Sequence, residues 1–144
     1  MQVKLAVLAD YANVTAEGKL NILGIFDRIN LVQVPAVHPQ MHLVLRLEAR
    51  AAERDRVHRV EIRLHDPQGA TIFDVNGEIV PHGDGEQPLT TNQILTLNNL
   101  QLEKIGAYNF VIFIDGDLKS ELPLHVEFVT MPPAAGSAPS QQLH

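Results

Sequence analysis

Apolar and polar residues alternate with a period of two along most of the chain, and proline and glycine interrupt the alternation. Val3, Leu5 and Val7 alternate with Lys4 and Ala6, and Leu20 and Ile22 alternate with Lys19 and Asn21 before running into Gly24-Ile25-Phe26. Residues 28–34 read as another strand, closed by Pro35 and Pro39. Met41, Leu43, Leu45, Leu47 and Ala49 mark one face of a strand whose other face carries His42, Arg46, Glu48 and Arg50. His58, Val60, Ile62 and Leu64 share a face opposite Arg59, Glu61, Arg63 and His65. Further strands run through Thr71, Phe73, Val75 and Ile79, through residues 93–102 with an irregularity at Asn98-Asn99, through Tyr108, Phe110, Ile112 and Ile114, and near 121–129. Asp66-Pro67-Gln68-Gly69 has proline second and glycine fourth, as a type I turn requires. Asp115-Gly116 is a hairpin turn, and residues 81–91 are a loop.

One segment competes with this pattern. Residues 45–56 are rich in Ala, Arg, Glu and Leu, which favour helix. A helix over 45–64 would have its apolar face broken by Arg56 and Arg63, so two strands joined by a loop at 51–56 are expected. The two strands are expected to pair as a hairpin, and charge selects its register. Glu48 then opposes Arg59, Arg46 opposes Glu61, and His42 opposes His65, whereas neighbouring registers set like charges against each other. The pattern as a whole predicts an all-β fold, an immunoglobulin-like antiparallel β-sandwich of about eight strands. It occupies residues 1–130, with a disordered tail containing Pro, Ala and Ser over 131–144.

Composition narrows the function classes. The chain has 144 residues, enough for one domain with its own core. It has no cysteine, which excludes a disulfide framework, a thiolate metal site and a thiol nucleophile. The net charge of −6 disfavours binding to nucleic acid or to an anionic membrane. No apolar run reaches the ~20 residues of a membrane helix, so a cytoplasmic location is expected.

Gly106-x-Tyr108-x-Phe110 resembles the tyrosine corner of immunoglobulin-like sandwiches, with Lys104 where an Asp often stands. A tyrosine there buries its ring and returns its hydroxyl to the backbone upstream. Phe113-Ile114-Asp115-Gly116-Asp117 and Pro123-Leu124-x-Val126 resemble the last hairpin of such a domain. Residues 3–129 also resemble an uncharacterised bacterial family of small β-sandwich proteins, a domain-of-unknown-function family. The likeness is carried by Leu8-Ala9-Asp10-Tyr11-Ala12-Asn13, by Gly18-Lys19-Leu20-Asn21-Ile22-Leu23-Gly24-Ile25-Phe26-Asp27, by His38-Pro39, and by Gly106-x-Tyr108-x-Phe110 with Ile114-Asp115-Gly116. The resemblance implies the fold and a bacterial origin and brings no catalytic residue with it.

Candidate chemistry is sparse. Of three serines, Ser137 and Ser140 lie in the tail and Ser120 in a hairpin, and no Gly-x-Ser-x-Gly elbow or phosphate-binding glycine loop exists. No catalytic residue and no cofactor is expected. An ion-binding protein or an enzyme using the surface pair His42 and His65 with loop carboxylates, the ligand set completed by Glu48 or Asp66, is the alternative reading, as is calcium at Asp115-Gly116-Asp117 or Asp84-Gly85-Glu86. His58 is expected to be partly buried and hydrogen-bonded. Six of the eleven basic residues, all arginine, fall between 46 and 63. Arg46, Arg59 and Arg63 therefore enter a candidate contact surface for a protein partner, with Asp10, Tyr11 and Asn13. Val111 and Phe113 are apolar on the face opposite Tyr108 and Phe110. A sandwich strand needs only one buried face, so these two nominate a homo-oligomer contact. The expectation is a non-catalytic protein-interaction or structural module.

Overall fold

The computed structural model describes residues 1–130 and Leu143, so the tail expected over 131–144 lies, apart from that residue, outside the described residues. The alternation resolves into β1 (Gln2–Val14), β2 (Leu20–Phe26), β3 (Arg28–Leu31), β4 (Ala36–Ala49), β5 (His58–His65), β6 (Thr71–Ile79), β7 (Leu89–Leu102), β8 (Gly106–Ile114) and β9 (Asp117–Phe128). The strands form two sheets, one in the order β2-β1-β4-β7 and one in the order β3-β9-β8-β5-β6. The fold is an all-β sandwich. It departs from the antiparallel expectation at one pair, β3 with β9, which is parallel. No helix among the described residues is long and apolar enough to cross a membrane.

The core lies where the apolar stripes of the two sheets meet. Leu43, Leu45 and Leu47 of β4 are buried with Val60, Ile62 and Leu64 of β5 and with Tyr108, Phe110, Ile112 and Ile114 of β8. The helix alternative over 45–64 is thereby excluded, and residues 51–53 form only a single 3₁₀ turn.

The expected hairpin of β4 with β5 does not form. β4 pairs with β1 and β7, whereas β5 pairs with β6 and β8. Residues 50–57 carry the chain from one sheet to the other instead. Packed sheets lie about 10 Å apart, a gap that eight residues easily span. The crossing turns the two stripes towards each other across the core, where a hairpin would have set them side by side. Glu48 consequently faces Gln2 and Thr90, and Arg46 faces Leu5 and Asn92.

Two boundaries also move. β4 begins at Ala36 and runs through Pro39 rather than starting after it. β1 meets β4 only as far as His42, so at Pro39 the missing N–H faces no β1 neighbour. β7 begins at Leu89, earlier than the pattern shows, and Asn99 takes a positive φ of 54° at the expected irregularity. The turns match their sequences. Gly69 N–H donates to Asp66 O at 2.9 Å, and Asp115 and Gly116 take φ of 52° and 84° between β8 and β9.

On the flank between edge strands β6 and β7 the core is reached by a cleft of about 140 Å³. Gly77 leaves it open, opposite Val60 and between Val75 and Ile79. A Cβ at Gly77 would meet nothing within 4 Å. A glycine without a special φ costs a strand entropy and packing. Gly77→Val is expected to raise stability by about 0.5–1 kcal/mol in a urea titration.

Candidate functional site

The outer face of the four-stranded sheet groups exposed apolar side chains on neighbouring strands. β1 turns Val7, Ala9 and Tyr11 outward, and β2 turns Leu23 and Ile25 outward beside them, with Ala9 opposite Ile25 and Tyr11 opposite Leu23. Leu23 is 68% exposed, Ile25 62% and Tyr11 49%. Val44 of β4 continues the patch inward and is fully buried. The strand from 20 to 26 is legible in the sequence, but its outward pair is not named by the alternation of Leu20 and Ile22. The available signal is the double apolar steps Ile22-Leu23 and Ile25-Phe26, which leave both faces of the strand apolar.

The Asp10 to Asn13 segment is built into this face. Gly24 has a φ of 71°, and a Cβ there would lie 2.5 Å from the Asp10 carboxylate, so Asp10 and Gly24 fit only as a pair. Asp10 O accepts a 3.2 Å hydrogen bond from His42 Nδ1, and the Tyr11 ring stands edge-on to the His42 imidazole with centroids 5.4 Å apart. Asn21 Nδ2 donates to Asn13 Oδ1 at 3.0 Å across the strand pair. Tyr11 and Asn13 therefore belong to one surface together with Leu23 and Ile25, while the Asp10 side chain lies on the other side of the strand against Gly24 and joins this surface only through its backbone carbonyl.

The arginines do not join it as a group. Arg46 lies on this sheet, where its Nη1 donates to Asn92 Oδ1 at 3.2 Å. Arg59 and Arg63 lie on the outer face of the other sheet. Arg59 donates to Asn76 Oδ1 at 3.2 and 2.9 Å, and Arg63 reaches Glu61 at 2.6 Å and Asp74 at 3.2 Å. The Arg63 guanidinium also lies 4.9 Å from the centroid of the Phe113 ring. Val111, flanked by Arg63 and Glu121, is 5% exposed in the single chain. Much of the cover that Val111 and Phe113 call for thus comes from within the chain.

The pairing of His42 with His65 fails for the same reason as the hairpin. His42 is buried on the outer face of one sheet, under Tyr11, and His65 is on the outer face of the other, paired to Thr71 and Asn109. Glu48 follows His42's sheet, and Asp66 caps its own turn through bonds of 2.9 Å from the N–H groups of Gln68 and Ala70. No group of three or more His, Asp or Glu that could hold a metal lies among the described residues. Asp84 and Glu86 stand in the exposed segment between β6 and β7.

His58 is buried and uses both ring nitrogens. Nδ1 bonds Asp115 Oδ2 at 2.7 Å and Nε2 bonds Glu53 O at 2.8 Å. Since a carbonyl and a carboxylate can only accept, the ring donates twice and is an imidazolium. The hydrogen bond to Asp115 raises its pKa first, the Glu53 carbonyl adds to that, and burial opposes both. Partial burial pushes the Asp115 carboxyl up, but the bonds from His58 and from Arg59 N–H outweigh it and hold the pKa below the usual value. Neither nitrogen is free to take a proton from a substrate, so this His–Asp pair ties β5 to the β8–β9 turn rather than serving as a general base. Both Asp115 oxygens already accept N–H donors, at 2.7 and 2.9 Å, which suits a calcium ligand poorly.

Tyr108 completes the structural set. Its hydroxyl donates to Lys104 O at 2.8 Å and accepts from Lys104 N–H at 3.2 Å, with the ring fully buried. The Lys104 ammonium reaches Asp66 Oδ2 at 3.0 Å, fastening this corner to the β5–β6 turn.

A family model of unknown function, DUF6941, matches residues 4–127, nearly the whole sandwich. The chain belongs to this family. The match covers the Asp10–Gly24 pair, the Tyr108 corner and the His58–Asp115 tie of this DUF6941 domain alike. No curated protein matches it. Among solved structures, the domain is similar to part of a Pseudomonas fluorescens alkylpurine DNA glycosylase, AlkC, bound to DNA containing an abasic site analog. The identity is 10% and the TM-score 0.44, over 85% of this chain and 30% of that one. No activity follows from a likeness of that extent.

Proposed function

We propose that the chain is a non-catalytic protein-interaction module and that its contact surface is the outer face of β1 and β2. The observation that carries this reading is the adjacent exposure of Leu23, Ile25 and Tyr11 on neighbouring strands. Large apolar side chains grouped on a sheet face mark contact surfaces, while single ones do not. The titratable groups that the fold draws together are spent on the fold itself, His58 with Asp115 and Lys104 with Asp66. An immunoglobulin-like type is part of this reading. It is supported by the order β7-β4-β1 opposite β6-β5-β8-β9 and by the tyrosine hydroxyl returned to the backbone at the start of β8.

The test uses a Leu23→Lys/Ile25→Lys variant beside an Arg59→Ala/Arg63→Ala variant. Both pairs are on the surface, so both variants should keep the far-ultraviolet circular dichroism of the parent. A protein captured by the parent chain from its host should be lost with the lysine variant and retained with the alanine variant. Equal capture by parent and lysine variant would overturn the reading, as would stoichiometric metal in the purified chain.

A further inference from the structure

We propose that a second copy of the same chain joins at the rim of this face, edge to edge through β2 about a two-fold axis at Leu23, so that the two apolar faces run on into one; this rests on the interaction reading above and names its partner. Among the described residues β2 is an edge strand, hydrogen-bonded to β1 alone. A free edge is a template for another strand, and proteins ordinarily guard it with charge, proline or brevity. The edges of the five-stranded sheet are guarded in this way. β6 carries Asp74 and Glu78, and β3 has four residues, one of them Arg28. β2 has seven residues, with neither charge nor proline. The remaining edge, β7, is also uncharged, but four of its outward positions, Thr90, Asn92, Thr96 and Asn98, are polar and of the outward ones only Ile94 is apolar.

The charges that flank β2 select the register. Lys19 precedes the strand and Asp27 follows it, and both are exposed. In an antiparallel pair with the axis at Leu23, Lys19 lies opposite the partner's Asp27 and Asp27 lies opposite the partner's Lys19. The same residue pair is thus used twice, as an isologous interface requires. Moving the axis to Ile22 sets Glu17 against the partner's Asp27, a like pair. Moving it to Gly24 sets Lys19 against the partner's Ile29. Opposite charges across a strand pair help and like charges hurt, so only the Leu23 axis satisfies both ends. It also places each Leu23 beside its own copy and keeps Ile25 and Tyr11 on one continuous face. The product is a single eight-stranded sheet across two chains, because each four-stranded sheet contributes one edge.

Sedimentation velocity on the full chain tests this. The parent chain should dimerise at tens of micromolar. Lys19→Glu and Asp27→Lys should each weaken association about tenfold, since each turns two attractive pairs into two repulsive ones. The double variant Lys19→Glu/Asp27→Lys should recover it, because the reversed charges again oppose. Leu23→Lys sets two ammonium groups together on the axis and should leave a monomer with unchanged circular dichroism. A parent chain that stays monomeric at those concentrations overturns the proposal, as does a dimer indifferent to Leu23→Lys or a double reversal that fails to restore it. Loss of a captured protein by the Leu23→Lys/Ile25→Lys variant, with the parent chain monomeric, would overturn the second copy and leave the interaction face standing.

Discussion

Replacing His58 with alanine is expected to lower folding stability by about 2–3 kcal/mol at pH 6, because two hydrogen bonds from a cationic ring are lost and the Glu53 carbonyl is left without its donor. The parent chain's stability should also depend on pH in a defined direction. The folded pKa of His58 is raised above its ordinary 6.5. Its contribution is therefore fully present below pH 6.5 and is lost as pH rises through the folded value. Asp115 runs the other way. Its pKa is lowered from 3.8, so its contribution is present above that value and is lost as pH falls through the folded one. The pair thus favours mildly acidic conditions. Urea titrations of the parent at pH 6 and pH 8 should show the loss on the alkaline side. His58→Gln, which cannot titrate, should be less stable at pH 6 and should flatten the difference. A parent whose stability rises from pH 6 to pH 8 by way of His58 would contradict an imidazolium at this position.

Tyr108→Phe is expected to cost about 1–3 kcal/mol, the range for leaving partners of a lost hydrogen bond unpaired. Phenylalanine keeps the buried ring and removes only the hydroxyl, so the change isolates the bonds to Lys104 O and N–H. A thermal or urea melt suffices to measure it. A change within about 0.3 kcal/mol would place the hydroxyl in water and dissolve the corner.

Which strands exist is plain from the sequence, and how they neighbour one another is not. The alternations of β4, β5 and β8 name their buried stripes, and Asp66-Pro67-Gln68-Gly69 and Asp115-Gly116 name two turns, because these properties are local. Pairing is not local. Matching Glu48 with Arg59 across a hairpin would gain only about 0.2–1 kcal/mol. Facing the stripe of Leu43, Leu45 and Leu47 against Val60, Ile62 and Leu64 buries side chains at about 1.5–3 kcal/mol each. Burial therefore outweighs charge and decides the topology. With the hairpin went the His42–His65 pair and the common patch of Arg46, Arg59 and Arg63. The candidate surface was half legible. Asp10, Tyr11 and Asn13 stood out as a segment, and the structure shows why Asp10 goes with Gly24. Leu23 and Ile25 stayed hidden, since a doubly apolar strand does not reveal which of its faces the core takes. Val111 and Phe113 show the converse, an outer face on which the long side chain of Arg63 supplies cover that an alternation pattern does not record.

Amide hydrogen exchange followed by mass spectrometry on the full chain, at a dilute and at a concentrated condition, tests the β2 surface most directly. Amides of residues 20–26 should exchange more slowly at high concentration, and those of 71–79 on the guarded β6 edge should exchange alike in both. Unchanged exchange over 20–26, with new protection appearing on β6 or β7 instead, would contradict it.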